Sequence, residues 1–241
     1  MNTRTHKQDS FLIVYDADQI QHPGSHLFAP SHWKEEGGLV GEAEGRGTAL
    51  LLETPFGPAV LRQYLRGGWA AKASRDKYVF RGFEKSRPVQ EYEMLEQLSA
   101  MGLPVPEPLA AICTNHGRFY TGWLLTRRIM GVTPLADLIE NHRSDCELWK
   151  ETGACIRRFH DAGLVHADLN VRNILIDEHG CVYLIDFDRA RMFKGDSRAF
   201  HRNLQRLHRS LRKFWPKAHL RQLESCWMQL LEGYDRGQVG S

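Results

Sequence analysis

The sequence predicts an α+β fold of two lobes, the first rich in β-strands and the second mostly helical. Short apolar segments separated by Gly and Pro turns fill the first half of the chain, as in an antiparallel sheet. Beyond Gly131 the apolar residues recur at helical spacing, interrupted by two short strand-like segments. We therefore expect a β-rich lobe at residues 1–126 and a mostly helical lobe at residues 127–241.

The composition excludes several broad classes of protein. The 241 residues are 42% hydrophobic, which is enough for one large domain or two small lobes. No run approaches the roughly 18 apolar residues of a membrane-spanning helix, and the polar start MNTRTHKQDS precedes no signal-peptide core. The five cysteines never occur in CxxC spacing, so neither a disulfide framework nor a zinc site is expected.

Within the first half, the sequence predicts a hairpin followed by a helix. The Gly-rich segment 41–54 runs into an apolar strand, a PFGP turn follows, and residues 59–65 form the returning strand. Residues 87–102 predict a helix that ends at Gly102. Four of its apolar residues fall on one face: Val89, Tyr92, Leu95 and Leu98. Residues 119–131, FYTGWLLTRRIMG, are interpreted as two strands.

The second half is predicted to open with two helices and a small hairpin. Residues 134–142 and 147–163 have helical apolar spacing, and a DAG sequence ends the second helix. Residues 173–177 and 181–187 have the pattern of two short strands around an EHG turn. After Asp188 we expect mostly helical, basic sequence.

Three polar residues stand where the strands of the second half begin or end. Asn173 precedes the strand ILI, Asp186 follows an apolar strand, and Asp168 lies on the loop leading in. Oxygen ligands held at strand ends suit a hard cation such as Mg²⁺, and a loop carboxylate can accept a proton from a hydroxyl. Each residue alone is a common turn or cap residue. Their joint spacing favours phosphoryl transfer.

These segments resemble the protein-kinase-like fold. The run HADLNVRN, residues 166–173, is similar to the motif H-R-D-x₄-N, and the DF pair that begins at Asp186 is similar to the start of D-F-G. The resemblance implies that Asp168 is the catalytic base and that Asn173 and Asp186 bind Mg²⁺. It also implies that ATP is the phosphoryl donor.

A Gly-rich turn precedes the hairpin of the first half, where such a fold would hold the nucleotide. Glycines at positions 41, 45 and 47 lie between two apolar strands. Because they lack a Cβ, backbone N–H groups there can approach phosphates closely. We expect Gly45 and Gly47 to bind ATP, although a Gly-rich turn is more often only a turn.

The returning strand carries the residues that resemble V-A-I-K of the kinase fold. It has the sequence AVLR, with Arg in place of Lys. Strand alternation puts Val60 and Arg62 on one face, where Val60 is expected to contact adenine and Arg62 the phosphates. Arginine is always charged and forks onto phosphate oxygens, so the substitution preserves the chemistry. The helix residue Glu91 is the favoured partner of Arg62, and Glu93 is the alternative.

Several departures from protein kinases argue against a protein as acceptor. Ala167 replaces the arginine of H-R-D, and Asp188 replaces the glycine of D-F-G. The stretch after Asp186 is too short for an activation segment and the usual set of helices. These features favour a small molecule or a lipid-linked sugar as acceptor.

Two basic segments favour an anionic partner. Eight cations lie between residues 62 and 87, opposed only by Asp76 and Glu84: Arg62, Arg66, Lys72, Arg75, Lys77, Arg81, Lys85 and Arg87. Later, residues 200–217 predict an amphipathic helix with Arg202, Arg206, Arg209 and Lys213 along one face. Such a helix can lie on an anionic membrane surface, or it can simply pack its leucines inward.

Four longer segments resemble one particular family within the kinase-like fold. The runs GRGTALLLET, VLRQYLRGGW, GLPVPEPLAA and HADLNVRNILID…LIDFD are similar to the lipopolysaccharide kinase family, in which arginine at the Lys position is usual. The resemblance implies phosphorylation of the 4-hydroxyl of 3-deoxy-D-manno-octulosonic acid (Kdo) on a Kdo-lipid A precursor. It also implies peripheral attachment at the cytoplasmic face of the bacterial inner membrane. Neither nucleic acid nor an obligate protein partner is expected.

One further residue and several alternatives remain open at this point. Arg172, just before Asn173, is a candidate catalytic residue that neutralises charge in the transition state. A heptose kinase of the same family would share the fold and these residues. A small atypical protein kinase, an aminoglycoside phosphotransferase, or a non-catalytic binder of lipopolysaccharide or nucleic acid are more distant alternatives.

Overall fold

A computed structural model describes five ranges of the chain: residues 1–43, 49–65, 78–140, 146–193 and 197–236. The chain forms two compact units. The first unit contains Met1–Gln97 and Pro106–Arg128, and the second contains Leu98–Val105 and the chain from Ile129 onward. The first unit is rich in strands and the second is mostly helical, so the α+β fold class is confirmed.

The first unit is built on one antiparallel sheet in the strand order β1-β2-β7-β8-β5-β4-β3, with β6 paired to β8. The strands are β1 Thr3–Gln8, β2 Phe11–Asp16, β3 Leu39–Ala43, β4 Ala49–Thr54, β5 Gly57–Gln63, β6 Tyr78–Val79, β7 Pro108–His116 and β8 Phe119–Arg127. Two helices accompany it, α1 Pro30–Glu35 and α2 Arg87–Ala100, with a short 3₁₀ helix at Ser25–Phe28. A core that includes Leu52, Leu61 and Leu125 packs this unit.

The predicted hairpin and the predicted helix are confirmed. Strands β4 and β5 pair from Thr54↔Gly57 onward. Helix α2 buries the four residues that the pattern placed on one face, Val89, Tyr92, Leu95 and Leu98. After the helix, Gly102 adopts the left-handed φ of +70° that favours glycine at a helix end.

The interpretation of residues 119–131 as two strands is wrong. Residues Phe119–Arg127 form the single strand β8. Gly122 lies inside this strand, and a Cβ there would meet Pro88 Cγ at 2.5 Å. The glycine therefore does not interrupt the strand: it lets Pro88 of α2 approach the strand closely.

The second unit contains, within its described ranges, the α-helices α3 Leu135–Glu140, α4 Cys146–Asp161, α5 Ser197–Phe214 and α6 Leu220–Arg236, with a short 3₁₀ helix at Lys217–His219. A three-stranded sheet is formed by β9 Val132–Pro134, β11 Ile174–Asp177 and β12 Val182–Leu184, and β10 Leu164–Val165 pairs with β13 Arg191–Met192. The predicted helices and the hairpin β11–β12 are confirmed. Over the ranges that the structure describes, no helix is both long and apolar enough to cross a bilayer.

Two glycines allow α4 and α6 to pack closely. A Cβ on Gly153 would overlap the carbonyl oxygen of Leu230, and one on Gly233 would overlap that of Lys150. Because only glycine fits at both positions, the two helix backbones approach each other directly. This contact holds α6 against the helix that leads into the loop of Asp168.

Candidate active site

His166 connects the loop of Asp168 to the strand end of Asp186. Its ring is buried, and Nε2 lies 2.9 Å from the carbonyl oxygen of Ile185. The backbone N–H of Asp168 donates to Nδ1 at 3.1 Å. The two partners assign the proton to Nε2, so a neutral imidazole bridges the segments.

Asn173 makes the second connection between the same segments. Its Nδ2 donates to the backbone oxygen of Asp168 at 2.9 Å, and the N–H of Ile185 donates to its backbone oxygen at 3.1 Å. With Nδ2 engaged, Oδ1 is the atom that this buried side chain can offer to a cation.

Asp186 is fixed from both sides. It has a φ of +64°, a left-handed conformation that is uncommon outside glycine and that clusters at functional sites. On one side, both backbone groups of Ile185 described above are bonded. On the other, Phe187 is buried and packs on Phe159 and His166, with ring centroids 5.9 and 5.0 Å apart. The backbone of Asp186 is therefore held in place on both sides.

The structure thus joins the loop that carries Asp168 and Asn173 to Ile185, the residue before Asp186, through His166 and Asn173. An amide oxygen and a carboxylate fit Mg²⁺, which commonly takes one or two protein ligands and completes its shell with water and phosphate oxygens. In the described part of the chain, no three His, Cys, Asp or Glu side chains are grouped so that they could hold a metal. Asp168 is exposed to solvent.

Helix α5 supports this loop along one face, which the sequence analysis missed. The amide of Asn203 brackets the backbone of His166: Nδ2 donates to the carbonyl oxygen at 2.6 Å, and Oδ1 accepts the N–H at 3.2 Å. Two helical turns later, Ser210 Oγ accepts a hydrogen bond from the N–H of Val171 at 3.3 Å. The only sequence signal was that Asn203 and Ser210 interrupt a leucine-rich face.

Two arginines lie at the loop of Asp168 and contact different partners. Arg206 of α5 lies beside Asp168, with Nη1 and Oδ1 3.3 Å apart. Arg172, the predicted catalytic arginine, places its Cζ 4.9 Å from the ring centroid of Phe214. Its role remains a prediction, whereas Arg206 was assigned only to a basic helix face by the sequence analysis.

In the first unit, Arg62 is held by Glu91. Strand β5 alternates, with Ala59 and Leu61 buried and Val60 and Arg62 half-buried, as the strand pattern predicted. Arg62 Nη2 lies 2.6 Å from Glu91 Oε1, and Glu91 is only 3% exposed. The alternative acid, Glu93, is exposed on α2.

Tyr64 completes this ion pair, and the sequence analysis did not assign it. Its hydroxyl donates to Glu91 Oε2 at 2.5 Å, and Arg62 Cζ lies 4.8 Å from its ring centroid. Both oxygens of the buried carboxylate are therefore bonded, which is the condition for a buried ion pair to fix geometry. The sequence contained a signal for this contact, because Tyr64 follows Arg62 by two residues and therefore lies on the same side of an extended chain.

Some sequence predictions fall on residues that the structure does not describe. Gly45 and Gly47 of the Gly-rich turn lie outside the described ranges, as does the middle of the first basic segment, residues 66–77. In the part that is described, Arg87 donates to the Tyr78 hydroxyl at 2.9 Å and stacks on that ring. Arg87 is thus engaged within its own unit.

A second buried histidine extends the network behind the loop. His160 Nδ1 lies 2.8 Å from the Tyr234 hydroxyl, and Nε2 lies 3.2 Å from Asn203 Oδ1. Burial lowers the pKa of His160 to about 4 and also lowers the pKa of His166. Both rings are therefore neutral near pH 7, so both nitrogens of each can serve in the bonds described.

Comparison with known proteins matches the chain to a family model. The model of the lipopolysaccharide kinase (Kdo/WaaP) family covers residues 30–234. A 3-deoxy-D-manno-octulosonic acid kinase of Stenotrophomonas maltophilia (strain R551-3) is 42% identical over 225 residues, 92% of this chain and 89% of the relative. One with the same name from Xanthomonas campestris pv. campestris (strain 8004) is 43% identical over 201 residues, 83% of this chain and 80% of the relative.

The buried histidines predict a stability that falls in acid. Because the pKa of His160 is about 4 when folded and about 6.5 when unfolded, the unfolded chain binds the extra proton first. The free energy of unfolding should therefore fall, as the pH drops from about 6.5 to 4, by about 1.4 kcal/mol per pH unit for this residue. Urea unfolding at pH 7.5, 6.0 and 5.0 measures it.

The variant His160→Gln should weaken this pH dependence, since it removes the titrating group. His179→Gln, at an exposed turn, serves as the control and should keep the wild-type slope. Equal slopes for His160→Gln and the wild type would contradict the assignment.

Proposed function

Because the chain belongs to the lipopolysaccharide kinase (Kdo/WaaP) family, we propose that it transfers the γ-phosphoryl group of ATP to the 4-hydroxyl of Kdo on Kdo-lipid A. The family makes it a phosphotransferase that acts on a hydroxyl group. The observation that carries the specific proposal is the network of hydrogen bonds that joins the loop of Asp168 and Asn173 to Ile185, directly before Asp186. Such a network positions a base and cation ligands, which is what phosphoryl transfer requires.

Each polar residue of the network has a role in this reaction. Asp168 accepts the proton of the acceptor hydroxyl while its oxygen attacks the γ-phosphorus, and the bond to the β-phosphate oxygen breaks to release ADP. Asn173 Oδ1 and the Asp186 carboxylate would hold Mg²⁺, which neutralises charge on the phosphates. Arg172, next in sequence to Asn173, adds positive charge on the same loop.

The first unit supplies the nucleotide contacts. Arg62 binds phosphate oxygens through its guanidinium group. Glu91 pairs with the same guanidinium and is itself held by the Tyr64 hydroxyl. Val60, on the same side of β5, contacts adenine. Gly45 and Gly47 bring backbone N–H groups to the phosphates, a role that rests on the sequence alone.

The relatives favour Kdo over heptose as acceptor. They carry the name 3-deoxy-D-manno-octulosonic acid kinase, and their similarity covers most of both chains. The substitution of Arg62 for the kinase lysine further separates this chain from a protein kinase. A Kdo-lipid A acceptor therefore accounts for more of the chain than the alternatives do.

We place the protein at the cytoplasmic face of the bacterial inner membrane, where a lipid A precursor would be met. The exposed side of α5 supports this location. Its cations include Arg202, Arg209 and Lys213, and the helix carries no Asp or Glu. Arginines on such a surface attract anionic lipid headgroups without insertion.

The first test of the proposed reaction uses the loop residues. Asp168→Asn should lower kcat for transfer from labelled ATP to Kdo-lipid A by about 10²- to 10⁴-fold, because the amide cannot accept the proton. Arg172→Ala should lower kcat by about tenfold if its charge acts in the transition state.

The control for this test is Asp137→Asn on α3, which should keep wild-type activity. Transfer that survives Asp168→Asn at the wild-type rate would refute the role of Asp168. Wild-type protein that labels a heptosylated acceptor but not Kdo-lipid A would refute the choice of acceptor.

The second test concerns Tyr64. Tyr64→Phe keeps the ring under Arg62 but removes the hydroxyl that bonds Glu91. The KM for ATP should rise about tenfold, because Arg62 is then held less firmly. Tyr183→Phe, which removes a half-buried hydroxyl from β12, is the control, and an unchanged KM for Tyr64→Phe would contradict the role.

The third test concerns the membrane surface. Replacing Arg202, Arg209 and Lys213 together with Gln should weaken binding to anionic vesicles about a hundredfold, at about 1 kcal/mol per basic residue. Sedimentation with phosphatidylglycerol vesicles measures it, and zwitterionic phosphatidylcholine vesicles, which have no net charge, serve as the control. Equal sedimentation of the triple variant and the wild type would show that these cations of α5 do not bind the membrane surface.

A further inference from the structure

Arg206 makes a loose contact with the loop carboxylate. The Nη1–Oδ1 distance to Asp168 is 3.3 Å, longer than the roughly 2.7–2.9 Å of a strong charge-assisted bond. The two side chains are 48% and 58% exposed. A guanidinium has five N–H donors, so one contact to Asp168 leaves it able to bind another anion.

The ion pair of Arg206 is more exposed and longer than that of Arg62. Arg62 meets a carboxylate that is 3% exposed, at 2.6 Å, with Tyr64 bonded to the other oxygen. That pair is built to stay together. Arg206 instead meets an exposed carboxylate through one long contact, which an incoming anion can share or replace.

Arg172, which belongs to the loop itself, is less suited to bind an incoming anion. Arg172 lies over the ring of Phe214, with its Cζ 4.9 Å from the ring centroid. Among the described residues, Arg206 is the cation that contacts the Asp168 carboxylate, which is proposed to accept the proton of the acceptor hydroxyl. An anionic group a few bonds from that hydroxyl would therefore meet Arg206.

We propose that Arg206 binds the carboxylate of the acceptor and selects an acidic sugar over a neutral one. The inference rests on the proposed function and identifies the acceptor group that this residue recognises. The relatives act, by name, on an octulosonic acid, whose carboxylate is ionised at neutral pH. A guanidinium pairs with a carboxylate in a planar, two-bond geometry, so Arg206 can bind the acid group while it stays beside Asp168.

The test compares two acceptors that differ in one charge. Kdo-lipid A is the first, and its Kdo carboxyl converted to the primary amide is the second. Wild-type protein should prefer the acid. Arg206→Gln should lower kcat/KM for the acid about 10- to 100-fold, mainly through KM, and should leave the amide nearly unchanged. Arg206→Lys should recover only part of the loss, because an ammonium lacks the fork.

Arg212→Gln is the matched control, since it removes the same charge from an exposed site about 120° around α5. It should behave as the wild type on both acceptors. Equal losses on acid and amide, or a loss for the acid in kcat rather than KM, would mean that Arg206 only positions Asp168 and would overturn the inference. No loss on either acceptor would overturn it as well.

These outcomes are distinct from failure of the proposed function. If wild-type protein transfers phosphate to neither acceptor, the proposed reaction is wrong and the acceptor role of Arg206 falls with it. If the wild type is active and the variant loses activity equally on both, only the role of Arg206 is wrong.

Discussion

The neutral ring of His166 is the constraint on which the candidate site depends. One nitrogen bonds the carbonyl before Asp186, and the other receives the N–H of Asp168. A protonated ring would have two donors and no acceptor, so the bond from Asp168 would be lost. Burial, which lowers the pKa of His166, therefore preserves the connection between the loop of Asp168 and the backbone before Asp186.

A single helix, α5, does two kinds of work for this site. Its inner face holds the loop, with Asn203 bonded to both backbone groups of His166 and to His160 behind it. Its outer face carries only cationic charge. A polar residue on the buried face costs stability unless its groups are bonded, and the bonds of Asn203 meet that condition. The polar interruptions of the leucine pattern are thus part of the site.

The sequence predicted the residues whose roles depend on spacing along the chain. Asp168, Asn173 and Asp186 stand at fixed offsets around short strands, and the alternation of β5 placed Val60 and Arg62 on one side. Asn203 and Arg206 could not be predicted in this way, because their partners lie 37 and 38 residues away and no local pattern encodes those contacts. The close approach of Gly122 to Pro88 could not be predicted for the same reason, since Pro88 lies on another element.

The Arg62–Glu91 and Arg206–Asp168 ion pairs differ in burial, and burial determines how firmly each pair is held. In the Arg62–Glu91 pair, low exposure strengthens the attraction and prevents exchange with water, so the guanidinium keeps one orientation. In the Arg206–Asp168 pair, solvent screens both charges, so the contact is worth little and can be exchanged. A phosphate donor has the same form in every turnover and suits a fixed arginine. In the proposed reaction an acceptor must enter and leave beside Asp168, and it suits an arginine that changes partner at little cost.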